Sequence, residues 1–164
     1  MKVLWAGLAL LMSISSAQSC QIDSKFDPFY YANSADTVLI GDISQYKAFA
    51  IEKHGIKFKF AKFFVTPKQL FSGVHEDPFW AVWWSTVRFS PPSQRPGTSL
   101  IALRSQSDPH GFNVSKEVLQ DTVGNDFLEV LQDLCYPESA IFHPHSPEAQ
   151  AIIEVLGKQT EAEQ

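Results

Sequence analysis

Between Ile56 and Phe60 apolar residues alternate with lysines, and from Phe79 to Phe89 aromatic and aliphatic residues fill both phases of the same two-residue period. A period of two belongs to extended chain, because successive side chains of a strand point to opposite faces. Ile56, Phe58 and Phe60 therefore mark a strand with one buried face and one carrying Lys57 and Lys59 in water. In the second stretch Phe79, Ala81, Trp83 and Val87 point one way and Trp80, Val82, Trp84 and Thr86 the other. A strand apolar on both faces is either covered on both sides or presents tryptophans to a partner. The centre of this chain must be a β-sheet.

Turn residues divide that centre into a meander. Val38, Ile40 and Ile43 mark a first strand, with Gly41 placed for a bulge; His54 and Gly55 form a turn. Lys62 falls on the apolar phase of its strand, which predicts a second bulge or a strand end near Ala61. Thr66, Pro67 and Lys68 to Phe71 read as a capped helical turn stopped by Gly73. Ser90 to Gly97 is a loop, Ser99 to Arg104 a short strand, and Phe112 with Val114 opens a fifth strand. The period then changes to that of a helix. Phe127, Leu131 and Leu134 share one helical face, with Asn125 or Asp126 as cap and Pro137 as stop. A second helix begins at Ser146 with Pro147 in its first turn, carries Ala149, Ile152, Ile153 and Leu156 as a stripe, and stops at Gly157. The expected class is mostly β (α+β), a single domain over residues 20–157 with one or two C-terminal helices and a polar tail from Lys158 to Gln164.

Lys2, the apolar run Val3 to Met12 and the small residues Ser13 to Ser19 have the form of a cleaved secretory signal, residues 1–19. Cutting after Ala17 or after Ser19 leaves about 145 residues, enough for one real core. The expected location is secreted or periplasmic. In such a compartment Cys20 and Cys135, the chain's two cysteines, read as one disulfide. It would close a loop worth about 4 to 5 kcal/mol in chain entropy, less any strain. The rival reading makes Cys20 a lipid anchor, but Ala17 stands where a large aliphatic residue is usual, and acylation would leave Cys135 as an odd thiol.

The formal net charge is −5, and the cationic residues lie scattered along the sequence, so no footprint for nucleic acid is present. No second apolar run approaches the length of a membrane span. There is no GxSxG elbow, HExxH, phosphate-cradling glycine loop or CxxC, so no cofactor is implied and an enzyme is disfavoured. Three sets of residues are candidates for a site. His143 and His145 with Glu148 offer two imidazoles and a carboxylate for zinc or copper, although a solvated loop before a helix explains them equally. Trp80 and Trp84, with Trp83 on the other phase, are either a platform for sugar or peptide or part of the core. Asn113-Val114-Ser115 forms a glycosylation acceptor in a eukaryotic secretory pathway.

The order of features resembles the netrin-module and TIMP-like domains. ADTVLIGDI (Ala35 to Ile43), IKFKFAKFFVTP (Ile56 to Pro67), LFSG (Leu70 to Gly73) and SLIAL (Ser99 to Leu103) are similar to their opening strands, and Cys20 stands where those families place a cysteine near the mature N-terminus. The family's CxC start is reduced here to Cys20 alone. The resemblance covers residues 20 to 115 and implies a five-stranded OB-like barrel with helical decoration. It further implies a binding module acting on a protein partner, a TIMP-like inhibitor or protein-interaction domain. An inhibitor would use Cys20, whose free amine and carbonyl would grip a protease's zinc, and the adjacent loop Lys53 to Gly55. A metal-dependent enzyme or metal-binding factor on His143, His145 and Glu148, and an envelope structural subunit or lipoprotein, are the other two readings.

Overall fold

The computed structural model describes residues 25–85, 97–105, 113–132 and 140–162, without the side chains of 113–117. The expected leader and both cysteines lie outside the described residues, as does the side chain of Asn113. The elements are α1 (Pro28–Ser34), β1 (Thr37–Lys53), β2 (Ile56–Ser72), β3 (Phe79–Ser85), β4 (Gly97–Arg104), α2 (Asn113–Val123), β5 (Leu128–Val130), β6 (Ile141–Phe142) and α3 (Pro147–Ala162). The fold is mostly β, in one six-stranded sheet with a C-terminal helix.

β1 and β2 form a long antiparallel hairpin closed by His54 and Gly55, whose φ angles of 54° and 74° are the pair of positive values that a tight two-residue turn demands. The first half of β1 has a second antiparallel partner in β4, from Thr37 opposite Leu103 to Ile43 opposite Gly97. β2 pairs with β3 over Lys59–Val65, and β5 runs parallel to β3 and antiparallel to β4. Pairing therefore passes from β1 through β2, β3, β5 and β4 and returns to β1, with β6 added beside β4. Three register shifts interrupt β1 against β2. One falls between Ile40 and Gly41, where an added Cβ on Gly41 would lie 2.9 Å from the Thr66 carbonyl oxygen, and its extra residue is Lys68 of β2 rather than Gly41. Another sets Gln45 and Tyr46 against Phe63 alone, with Gln45 at φ 51°. The bulge expected near Ala61 thus sits on the opposing strand.

Alternation along β2 is unbroken from Phe58 to Val65, and it separates two cores. Ala61, Phe63 and Val65 join Leu39, Ile43, Trp83 and the fully buried Leu100–Leu103 run on one face. Phe58 and Phe60 join Val82 on the other, beneath Val118, Leu119 and Val123 of α2 and Phe127. The expectation for β3 holds in the same way: Trp83 is 2% exposed in the first core, while Trp80 and Trp84 pack half-buried against the second. α3 closes the first core with Ala149, Ile152, Val155 and Leu156, against Tyr31 and Ala32 of α1. Its N-cap is Ser146, whose hydroxyl accepts from the Ala149 N–H at 3.2 Å.

Four local expectations are corrected. Thr66 to Phe71 is strand, with Pro67 opposite Gly41; β2 loses its β3 partner after Val65, so Pro67's missing N–H is not demanded by a second neighbour. Where a strand was expected at Val114 the chain is α2 from Asn113, which ends at Gly124 with φ 91°; Phe112 lies outside the described residues. The helix expected from Phe127 is strand over Leu128–Val130. Leu128, Glu129 and Val130 carry a period of two as well, and their position between β3 and β4 decides the ambiguity in its favour. Arg104 fixes this register, donating from Nε and Nη2 to Glu129 Oε2 at 3.1 and 3.0 Å. Finally, α3 runs on past Gly157 to Ala162, so the tail expected from Lys158 is largely helical: Lys158 pairs with Glu154 at 2.6 Å, and the Gln159 amide donates to Asn33 Oδ1 at 2.7 Å.

Candidate functional site

The face of β2 and β3 that carries Trp80 and Trp84 is the natural place to look for a platform. Phe49 and Ile51 from β1, Phe58, Phe60 and Phe64 from β2 and the two tryptophans from β3 line this face, because each occupies the same phase of its strand. α2 lies across it. What remains at the border is the edge-on pair of Phe64 and Trp80, with ring centroids 5.2 Å apart. The Trp84 indole N–H is buried with no hydrogen-bond partner among the described residues, and the Trp84 carbonyl accepts from the Gln132 amide at 2.7 Å. Both tryptophans are half-buried at the border of this face.

Lys62 was legible as an anomaly, a lysine on an apolar phase, and the structure gives it a role the sequence did not. Its Nζ donates to the Val123 carbonyl oxygen at 2.9 Å and lies 4.7 Å from the Trp80 ring centroid. Val123 is the last residue of α2, so the ammonium meets the negative end of the helix dipole and a carbonyl that no later turn satisfies. Lys53 adds a second tie, to Asp121 of α2 at 3.0 Å. Lys62→Met keeps the apolar stem and removes the charge. It is expected to cost about 1–2 kcal/mol, read as faster hydrogen exchange at the amides of Gln120 to Gly124; unchanged exchange there would show that Lys62 does not hold the helix.

His143 and His145 stand exposed just before α3, with ring centroids 5.6 Å apart. The His145 backbone N–H donates to His143 Nδ1 at 3.2 Å, which occupies that lone pair, and Glu148 sits in the first turn of α3 where the helix dipole favours a carboxylate. Among the described residues no three His, Cys, Asp or Glu side chains are grouped to hold a metal ion. The two histidines are brought together; Glu148 is not grouped with them as a third ligand.

Two polar clusters escaped sequence reasoning because they join distant residues. Asp42, Lys68 and Thr98 stitch three strands together on an exposed face: Lys68 Nζ lies 2.7 Å from Asp42 Oδ1 and 3.2 Å from Thr98 Oγ1, and the Thr98 hydroxyl donates to Asp42 Oδ1 at 2.6 Å. The Lys68 and Thr98 hydrogen bonds hold the Asp42 carboxyl below its ordinary range. Just before the start of β1 the Ser105 N–H donates to Asp36 Oδ2 at 2.7 Å, and that bond lowers the Asp36 carboxyl. Tyr46, stacked on Phe63 at the bulge, has its phenol pushed up to about 12 by burial and keeps its proton at neutral pH. Among the described residues no helix is long and apolar enough to cross a membrane. Comparison with protein-family models, with curated proteins and with solved structures found no match.

Proposed function

We propose that this protein is an exported, non-catalytic binding module on a five-stranded OB-like barrel, distantly akin to netrin-module and TIMP-like domains. The barrel reading is supported by the pairing circuit, which leaves β1 through β2 and returns to it through β4. Kinship is supported by the contact between the two fragments that carry the resemblance: Gly73, of Phe71-x-Gly73, lies against Asp36 and Thr37, which open the first strand.

The observation that carries the export reading is the convergence of the chain flanking the two cysteines. Tyr30, soon after Cys20, donates its hydroxyl to the Gln132 carbonyl oxygen at 2.9 Å, and Gln132 stands three residues before Cys135. Phe26, nearer still to Cys20, packs its ring 5.6 Å from that of Phe142. A bridge from Cys20 to Cys135 would link stretches of chain whose described neighbours, Tyr30 and Gln132, are in contact.

Mass spectrometry of the exported protein without reductant tests this reading. The expected result is a chain that begins after Ala17 or Ser19 and is lighter than its reduced form by the two hydrogens a bridge removes. An uncut leader with both thiols reduced would overturn it. A start at Cys20 leaves a free amine at the position the inhibitor mechanism requires, a start at Gln18 removes that mechanism, and a diacylated Cys20 replaces the bridge with a membrane anchor.

A further inference from the structure

β1 makes two ladders, and they are closed in different ways. The His54–Gly55 turn ties β1 to β2, whereas the ladder from Thr37 opposite Leu103 to Ile43 opposite Gly97 joins strands separated by β2 and β3, so no turn closes it. This ladder completes the pairing circuit, and ends of that kind fray unless side chains hold them. An aspartate stands at each end. Asp36, the residue before β1, donates its N–H to the Leu103 carbonyl oxygen at 2.9 Å and accepts the Ser105 N–H on Oδ2 at 2.7 Å, so one residue grips the chain on both sides of Arg104. At the other end Asp42, opposite Thr98, accepts the Thr98 hydroxyl at 2.6 Å and the Lys68 ammonium at 2.7 Å, both on Oδ1. Lys68 is the residue of β2 left out of register between Ile40 and Gly41, and a bulge of this kind re-aims a side chain that regular pairing would direct elsewhere.

From this placement we propose that Asp36 and Asp42 are a pair of acid-released latches on the ladder that closes the sheet circuit. Ionised, they hold its two ends; protonated, they let both ends loosen while the buried middle, Leu100 to Ala102, stays packed. A neutral carboxyl is a weaker acceptor for the N–H and hydroxyl and has no charge to offer an ammonium. Among the described residues the charged group beside Asp36 is Arg104, itself paired with Glu129 of β5 at 3.0 Å. The turn after β2, whose Gly73 lies against the Asp36 carbonyl oxygen, carries His75, Glu76 and Asp77, while Asp27 caps its own helix, α1. Asp42 meets the charge of Lys68, with uncharged Thr66 and Thr98 opposite it on the two neighbouring strands. The Ser105 hydrogen bonds, with Arg104 adding, hold the Asp36 carboxyl below its ordinary range, and the Lys68 and Thr98 bonds do the same for Asp42. Each folded value lies under that of the unfolded chain, so the latches are whole above about pH 4 and are lost as pH falls through the folded values.

Solution NMR of the protein, as recovered from the cell that makes it, between about pH 6 and about pH 2.5 tests the latches. The Ser105 amide proton should shift with the same midpoint as the Asp36 carboxyl carbon, below the ordinary carboxylate value. Hydrogen exchange, corrected for its intrinsic pH dependence, should show the Asp36 and Ser105 amides losing about tenfold more protection over this range than the Ala102 amide. Ala102 donates to the Ala140 carbonyl oxygen within the first core, so it reports the fold as a whole. In Asp36→Ala the Ser105 amide should stand at its acid-state protection throughout, with Ala102 showing that the variant is folded; the unaltered protein's titration decides the question if it is not. At the other end, Lys68→Met should raise the Asp42 titration toward the ordinary carboxylate value. A Ser105 amide that ignores the Asp36 titration, equal losses at Ser105 and Ala102, or an Asp42 that titrates in Lys68→Met as before would overturn the proposal. None of these results bears on the cleavage site or the bridge, so the export reading stands or falls separately.

Discussion

Gly73→Ala is expected to destabilise the protein by about 3–5 kcal/mol, the sum of a backbone term and an overlap term. Gly73 has φ 93°, a region where a Cβ crowds its own carbonyl. An added Cβ would also lie 2.6 Å from the Asp36 carbonyl oxygen and 2.9 Å from Thr37 Cα, and inside contact distance of Thr37 Oγ1. Two of those three atoms are backbone at the start of β1, where Thr37 is buried and the Asp36 N–H donates to the Leu103 carbonyl at 2.9 Å. They cannot rotate away. Thr37→Ala would relieve the hydroxyl overlap alone and is not expected to rescue the variant. Gly55→Ala supplies the comparison: its φ is 74°, yet a Cβ there meets nothing within 4 Å, so only the backbone term of about 1 kcal/mol remains. Denaturant midpoints measured on both variants check the difference. Equal losses would mean that Gly73 serves only its turn and does not seat the end of β2 against the start of β1.

The contrast between these glycines marks what the sequence made legible. Period-two alternation identified β2 and laid out both apolar phases of β3, while β1 and β4 were marked by β-branched and aliphatic residues between turn signals. It also divided the tryptophans correctly between two faces. It failed where the local pattern was compatible with two periods: Phe127, Leu131 and Leu134 have helical spacing, but Leu128, Glu129 and Val130 alternate, and only the gap between β3 and β4 selects strand. Pro67 misled for a similar reason. Its cost in a strand depends on whether a neighbour requires its N–H, which is a property of the sheet. The site was less legible than the fold. Lys62 was visible as an exception to its face, yet its partner is the end of a helix placed by tertiary packing.

Trp83→Ala is expected to cost about 3–5 kcal/mol, and Trp80→Ala, one strand phase away, about 1–2 kcal/mol. Trp83 is 2% exposed and stands in the first core with Ala61, which lies opposite it on β2. Its truncation opens a cavity that rigid strands on either side cannot collapse into. Trp80 is half-buried at the margin of the second core, where it contributes the edge-on contact with Phe64 and the Lys62 ammonium over its ring. Water reaches the space it leaves, so no comparable cavity forms. Thermal or denaturant unfolding of the two variants reads the asymmetry, and quenching of tryptophan fluorescence by iodide checks its cause. The Trp80→Ala protein should lose a larger share of its quenchable emission than the Trp83→Ala protein. If the two variants were equally destabilised, or if removing Trp83 abolished the quenchable fraction, β3 would have to present the opposite phase to solvent. The division of this molecule into two cores across one sheet would then be wrong at its centre.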